Sequence, residues 1–238
     1  MPICSLKTLR INMAKSNNVV LVIAPHPDDE TLGLGGTLLK HKEEGDTIYW
    51  LIATNIWEDE NYSDAFKKKR MKIIKKVSAA YGVAERIELP YRATALDTYP
   101  LGDIIAHISG VVQQYKPNII YIPHHSDVHS DHRLVFQSAV SCSKAFRFPS
   151  IRQVLMYETV SETDLAPPLV CQTFAPNYFV DISQYFQRKV SIMKLYEGEL
   201  GVHPFPRSKE SLRALAVLRG SVANVRFAEG FMLLRGLF

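Results

Sequence analysis

The stretch "VVLVIAPHPDDETLGLGG", residues 19–36, holds a strand, a polar turn and the start of a helix. Residues 18–24, NVVLVIA, are a continuous apolar run rich in β-branched side chains, which suits a strand buried on both faces of a parallel sheet. The run ends at Pro25. Then come His26, Pro27 and three consecutive acids, Asp28, Asp29 and Glu30. Adjacent like charges repel, so the cluster calls for something positive beside it. Residues 30–44 carry Leu32, Leu34, Leu38 and Leu39 among polar partners and stop before Gly45, the pattern of a helix with a C-terminal glycine.

The alternation continues outward from this unit. Strands are predicted at 47–54, 86–90, 118–123, 153–158 and 178–183, and helices at 63–81, 101–116, 131–146, 184–197 and 209–223. The 63–81 helix places Phe66, Ile73, Ile74, Val77 and Tyr81 on one side and ends at Gly82. This order predicts an α/β fold, a mostly parallel sheet with helices on both faces. Residues 1–17 read as an N-terminal extension and 18–238 as one domain. Residues 161–176, with Pro167-Pro168, are the longest irregular stretch, either a flap over a site or plain surface.

The bulk numbers fit such a domain. The chain has 238 residues, 47% apolar and 22% charged, enough to build a core without disulfides. Its three cysteines, Cys4, Cys142 and Cys171, form no CxxC pair, which argues against a disulfide framework or a thiolate zinc site. No apolar run approaches the roughly 20 residues of a membrane span, and the basic N-terminus lacks a signal-peptide core. The expected compartment is the cytoplasm. A net charge of +4 permits an anionic substrate without demanding nucleic acid.

In an open parallel sheet, ligands bind beyond the carboxyl ends of the strands. His26-Pro27-Asp28-Asp29 follows the first strand there, and "HHSDVHSDH", 124–132, follows the 118–123 strand. Two imidazoles and one carboxylate make a zinc shell with an open position for water. His26 and Asp29 lie three apart on one turn, and His132 would come from the other loop as third ligand. A bound divalent cation would also relieve the repulsion among the acids.

"APHPDDE" followed by "HSDH" resembles the PIG-L/LmbE family of metal-dependent N-deacetylases, which act on N-acetylglucosamine-type sugars. The resemblance covers most of the chain, including "HPFPRS" at 203–208, "LRG" at 218–220 and "FAEGF" at 227–231. It implies a Rossmann-like three-layer sandwich, a Zn²⁺ or Fe²⁺ cofactor and an N-acetylated sugar or glycoconjugate as substrate, and it is compatible with a homo-oligomer. It also implies that Arg70 and Asp97 contact the sugar. Two features depart from it. The loop after the second strand is "TNIWEDENY", 54–62, where many members carry a Gly-Glu-Gly type loop, and Ile73 stands where many have a glutamate.

Chemistry and resemblance together assign His26, Asp29 and His132 to the metal. Asp28 is the general base, and a protonated His129, oriented by Asp131, stabilises the oxyanion. Plainer readings exist. Asp28 and Asp29 would suit a helix N-cap. Arg70 sits in "KKKRMKIIKK", which by itself reads as a solvated face. Asp127 either orients a histidine or caps a helix, and His124 and His125 are either behind the ligands or exposed. His203 reads as a loop histidine, while His41 and His107 carry no signal. Gly33, Gly35 and Gly36 lack the full dinucleotide spacing and suit close packing.

Three rivals remain at this level. A two-histidine, one-carboxylate set also serves non-haem Fe(II) oxygenases, although these need no base such as Asp28. A nucleotide-binding module on the same sheet needs no metal. Nucleic-acid binding through Lys67–Lys76 would rest on one basic helix.

Overall fold

The computed structural model describes residues 17–237, so most of the expected N-terminal extension lies outside the described residues. The elements in chain order are β1 (Val19–Ala24), α1 (Asp29–Glu44), β2 (Thr47–Ile52), α2 (Asp64–Tyr81), β3 (Glu85–Glu88), α3 (Leu101–Tyr115), β4 (Ile119–Pro123), α4 (Ser130–Ser141), β5 (Gln153–Tyr157), β6 (Tyr178–Asp181), α5 (Phe186–Met193), α6 (Lys209–Ala223) and β7 (Ala228–Gly236). They build one seven-stranded sheet in the order β3-β2-β1-β4-β5-β7-β6. The first five strands run parallel, and β7 runs antiparallel to both β5 and β6.

β1 shows why its run is apolar throughout. Val20, Val22 and Ala24 join one core cluster, with side chains from α1, α2 and α5. Leu21 and Ile23 join the other, with side chains from α3 and α4. Alternate residues of a strand face opposite sides, so a central strand between two helical layers has no polar face.

β1 pairs with β2 on one side and β4 on the other, Val20 opposite Ile119. The direction of winding therefore reverses between β1 and β4. The loops leaving their carboxyl ends lie side by side at this switch point.

α1 is pinned against the sheet by close approach and by a buried ion pair. A Cβ on Gly33 would lie 2.4 Å from Tyr157 Cδ2, and one on Gly36 would lie 2.6 Å from Ile182 Cγ2. Glu229, on β7, accepts the N–H groups of Gly36 (2.9 Å) and Thr37 (2.7 Å). Lys189, on α5, donates to Glu229 (2.7 Å) and to the Leu32 carbonyl (2.8 Å), beside the kink at Leu34. Both ionic groups are buried. Removing one partner strands the other charge in the core. Lys189→Met is therefore expected to destabilise the fold by about 3–5 kcal/mol, read from the urea midpoint. A loss under about 1 kcal/mol, the range of an exposed pair, would contradict this.

The structure differs from the sequence expectation in several places. β7 is an additional strand, whose apolar pattern Glu229 and Gly230 interrupt. The 131–146 helix stops at Ser141, leaving Phe146 exposed, and the 184–197 helix shrinks to Phe186–Met193. Phe66 is exposed and stacks on Tyr62 instead of joining the core. Among the described residues, Cys142 and Cys171 form no disulfide. No described helix is long and apolar enough to cross a membrane.

Candidate active site

The 25–29 turn closes on itself. The His26 N–H donates to Asp29 Oδ2 (2.8 Å), which brings both side chains to one side. His26 Nδ1 then stands 3.5 Å from Asp29 Oδ2. His132, in the first turn of α4, places Nε2 3.3 Å from the same oxygen. Ligand atoms of His26, Asp29 and His132 all lie within 4.8 Å of one another. The outward nitrogens are held by further carboxylates: His26 Nε2 by Asp131 (3.0 Å) and His132 Nδ1 by Asp127 (2.8 Å). A carboxylate behind each imidazole is the usual support for a metal-binding histidine.

Two expectations change here. The sequence reading has Asp131 orienting His129; its carboxylate instead holds His26 and accepts the N–H groups of Thr94 (2.8 Å) and Leu96 (3.2 Å). Asp131 reaches His129 through its main chain, donating its N–H to His129 Nδ1 (3.1 Å). The same reading has His129 protonated. Burial, and then the charge of His26, push its pKa down to about 4, which favours the neutral ring in the ion-free site. With Nδ1 accepting, the neutral ring carries its proton on Nε2 and is a donor without being charged.

The electrostatics of the cluster ask for a cation. Burial opposes charge on His26, but hydrogen bonds to Asp131 and Asp29 outweigh it and raise its pKa to about 9. Burial opposes charge on His132 too, yet Asp29 and Asp127 raise it to about 10. Asp29, despite its own burial, is held well below the usual carboxylate range by His132 and His26. Protons on two imidazoles thus supply the positive charge that a divalent ion would bring.

Asp28 stands apart from the three. Its φ of 140° is a conformation that non-glycine residues rarely adopt, and its side chain makes no capping bond to α1. Asp28 thus occupies the N-cap position of α1 by its backbone, but its carboxylate is not used to cap the helix. The carboxylate instead accepts from Arg207 (2.9 Å). Burial and the neighbouring Asp29 charge push its pKa up to about 8 against the pull of Arg207. Glu30, also buried, accepts the Asp28 N–H (3.0 Å) and the Tyr196 hydroxyl (2.8 Å), which fixes the turn from below.

Arg207 and Glu199 join the site without having been singled out by sequence reasoning. Arg207 also donates to Glu199 (3.1 Å), Glu162 (3.2 Å) and Ser161 (2.7 Å). The only signal is its place in "HPFPRS", because nothing in local spacing ties a residue before α6 to a turn after β1. Arg70 is half-buried and turned towards the site: it donates to the Pro27 carbonyl (2.7 Å) and to Glu199 (3.2 Å). Asp97 is exposed and is not among the residues lining the cavity, unlike Arg70.

His124 is fully buried, not exposed, with Nδ1 3.5 Å from Asp127. His125 is half-buried and bonded to Ser126. His203 is exposed, and His41 and His107 are bonded to Asp46 and Tyr91. Of the 161–176 stretch, Glu162 reaches the cavity while Leu165, Leu169 and Val170 are exposed.

A cavity of about 200 Å³ opens over the cluster, lined by His26, Asp28, Arg70, His129, Arg207 and Trp57 among others. The sequence pattern of one family, PIG-L (GlcNAc-PI de-N-acetylase), matches residues 21–143, the span that holds both polar loops. The chain belongs to the PIG-L family. A diacetylchitobiose deacetylase of Thermococcus kodakarensis is 25% identical over 92% of this chain and 84% of its own. Two solved structures share the fold of this PIG-L chain. The conserved protein TT1542 of Thermus thermophilus has a TM-score of 0.75 at 24% identity, over 93% of this chain and 96% of its own. The N,N'-diacetylchitobiose deacetylase of Pyrococcus horikoshii has a TM-score of 0.74 at 24% identity, over 94% and 86%.

Proposed function

We propose that this chain is a metal-dependent hydrolase that removes the N-acetyl group from an N-acetylglucosamine-type sugar conjugate. The observation that carries this reading is the convergence of His26, Asp29 and His132 beside a cavity that His26, Asp28 and His129 line, with Asp28 outside the ligand set. Family membership and the relatives named as diacetylchitobiose deacetylases support the substrate class.

The residues fit a divalent cation, Zn²⁺ or Fe²⁺, with His26 Nδ1, Asp29 and His132 Nε2 as its holders. Such an ion, when bound, lowers the pKa of water from 15.7 towards about 7 and polarises an amide carbonyl. Asp28 takes the proton of the attacking water, and Arg207 keeps its carboxylate aimed into the cavity. As the carbonyl oxygen gains charge, the Nε2–H of neutral His129 donates to it. Asp28 then passes its proton to the leaving nitrogen. Acetate and a free amine result, one of each per water consumed. Arg70 lines the wall of the cavity towards α2, positioned by the Pro27 carbonyl.

The test is a panel of N-acetylated sugars offered to metal-loaded and chelated protein, with acetate and free amine both measured. Equal yields that vanish on chelation and return with metal are expected. No release from any sugar would sink the reading. His129→Ala is expected to lower kcat by about 10²–10³, the usual cost of one oxyanion donor, at unchanged metal content. Near-normal turnover would remove His129 from this role.

A further inference from the structure

The catalytic cavity adjoins a larger space. A groove of about 550 Å³ lies beyond β3, and its walls share Asn55, Trp57 and Glu88 with the catalytic cavity. Pockets that take a whole small ligand run to about 300–1,000 Å³. The groove falls in that range and the catalytic cavity, at about 200 Å³, falls below it. A one-ring substrate would leave the larger space unused.

Its aromatic walls are held in place before any ligand arrives. The Trp57 indole N–H donates to Glu88 (2.6 Å), and the Trp57 backbone N–H donates to Asn55 Oδ1 (3.0 Å). Asn55 is itself tied to the Leu89 carbonyl (2.8 Å). Tyr99 is half-buried, its ring 4.8 Å from Tyr91 and edge-on to it, and the Tyr91 hydroxyl is held by His107 (2.6 Å). Rings fixed in this way lose little freedom on binding. The exposed charges of Glu58 and Arg92 stand at the same groove. Aromatic faces beside ionised edges match a pyranose, whose C–H face stacks on a ring while its hydroxyls meet charged acceptors and donors. An apolar tail would leave those charges without partners.

We propose that this groove is a subsite for a second sugar ring joined to the amide-bearing one, with Trp57 and Tyr99 as its aromatic walls. The inference rests on the deacetylase reading. Asn55, Trp57 and Glu58 in its walls come from the 54–62 segment, where the chain departs from its family's pattern, so the subsite would be a specificity feature of this chain.

The experiment compares kcat/KM for N-acetylglucosamine and N,N'-diacetylchitobiose in metal-loaded wild type, Tyr99→Ala and Arg92→Ala. Wild type is expected to prefer the disaccharide by about tenfold, the worth of two aromatic contacts. Tyr99→Ala brings the preference to within about threefold, and Arg92→Ala, a change at an exposed side chain, lowers it less. Equal kcat/KM in wild type overturns the subsite, as does a preference retained in both variants. If wild type deacetylates neither sugar, the deacetylase reading fails first. The groove is then judged by binding of N,N'-diacetylchitobiose to metal-free protein through tryptophan fluorescence. Saturable binding weakened by Tyr99→Ala upholds the subsite, and its absence overturns it.

Discussion

Asp28→Asn is expected to cut turnover by about 10²–10⁴, the contribution of a placed general base, while the protein still binds one metal ion per chain. The change keeps the side-chain shape, and asparagine tolerates positive φ better than most residues, so the turn should persist. What is lost is the ability to take a proton. Arg207 keeps two other carboxylates, Glu162 and Glu199, and so is not left unpaired. The pH profile gives an independent check. A base acts only when ionised, so kcat/KM is present above its pKa and falls as the pH drops through it. Without an ion the Asp28 pKa lies at about 8. A neighbouring dication favours the carboxylate, so the acid limb of the loaded enzyme is expected below pH 8. In Asp28→Asn that limb should disappear. Turnover within tenfold of wild type, or an unchanged acid limb, would show that another group takes the proton.

His132→Ala is expected to abolish tight metal binding and, with it, turnover. Loss of a carboxylate behind a ligand typically costs 10–100-fold in affinity or activity. Asp127→Asn should fall in that range, and loss of the ligand itself should exceed it. Metal binding should also release protons. In the ion-free site His26 and His132 hold protons up to pH about 9 and about 10. An ion can bind only their neutral forms, so apparent affinity should fall as the pH is lowered, by about 100-fold per unit below 9 for two protons. Calorimetry in buffers of different ionisation heat counts these protons. No proton release at pH 7, or metal affinity unchanged in His132→Ala, would count against this ligand set.

Much of this is legible in the chain because it is local. The apolar run 18–24 forces a strand buried on both faces, and the two polar loops follow strands that turn out to be neighbours. That adjacency is what brings His26, Asp29 and His132 together. What escapes a sequence reading is non-local. β7 inserts between β5 and β6, and Arg207 comes from the segment before α6; neither leaves a periodic trace near its partners. The loop that holds Asp97 shows another limit: it carries a positive φ at Thr94, it buries Ala95 and Leu96 while Asp97 stays exposed, and sequence does not report a dihedral angle. Asp131 sits two residues from His129, yet its carboxylate serves His26 across the gap between the loops.

The central claim is that one divalent ion sits between the β1 and β4 loops. A crystal of protein loaded with one equivalent of Zn²⁺, measured at the zinc absorption edge, tests it most directly. The account predicts a single anomalous peak about 2.0–2.2 Å from His26 Nδ1, an Asp29 oxygen and His132 Nε2. A peak at the separate His41, Glu44 and Asp46 group, or no peak with His26 and His132 still paired to Asp29, would contradict it.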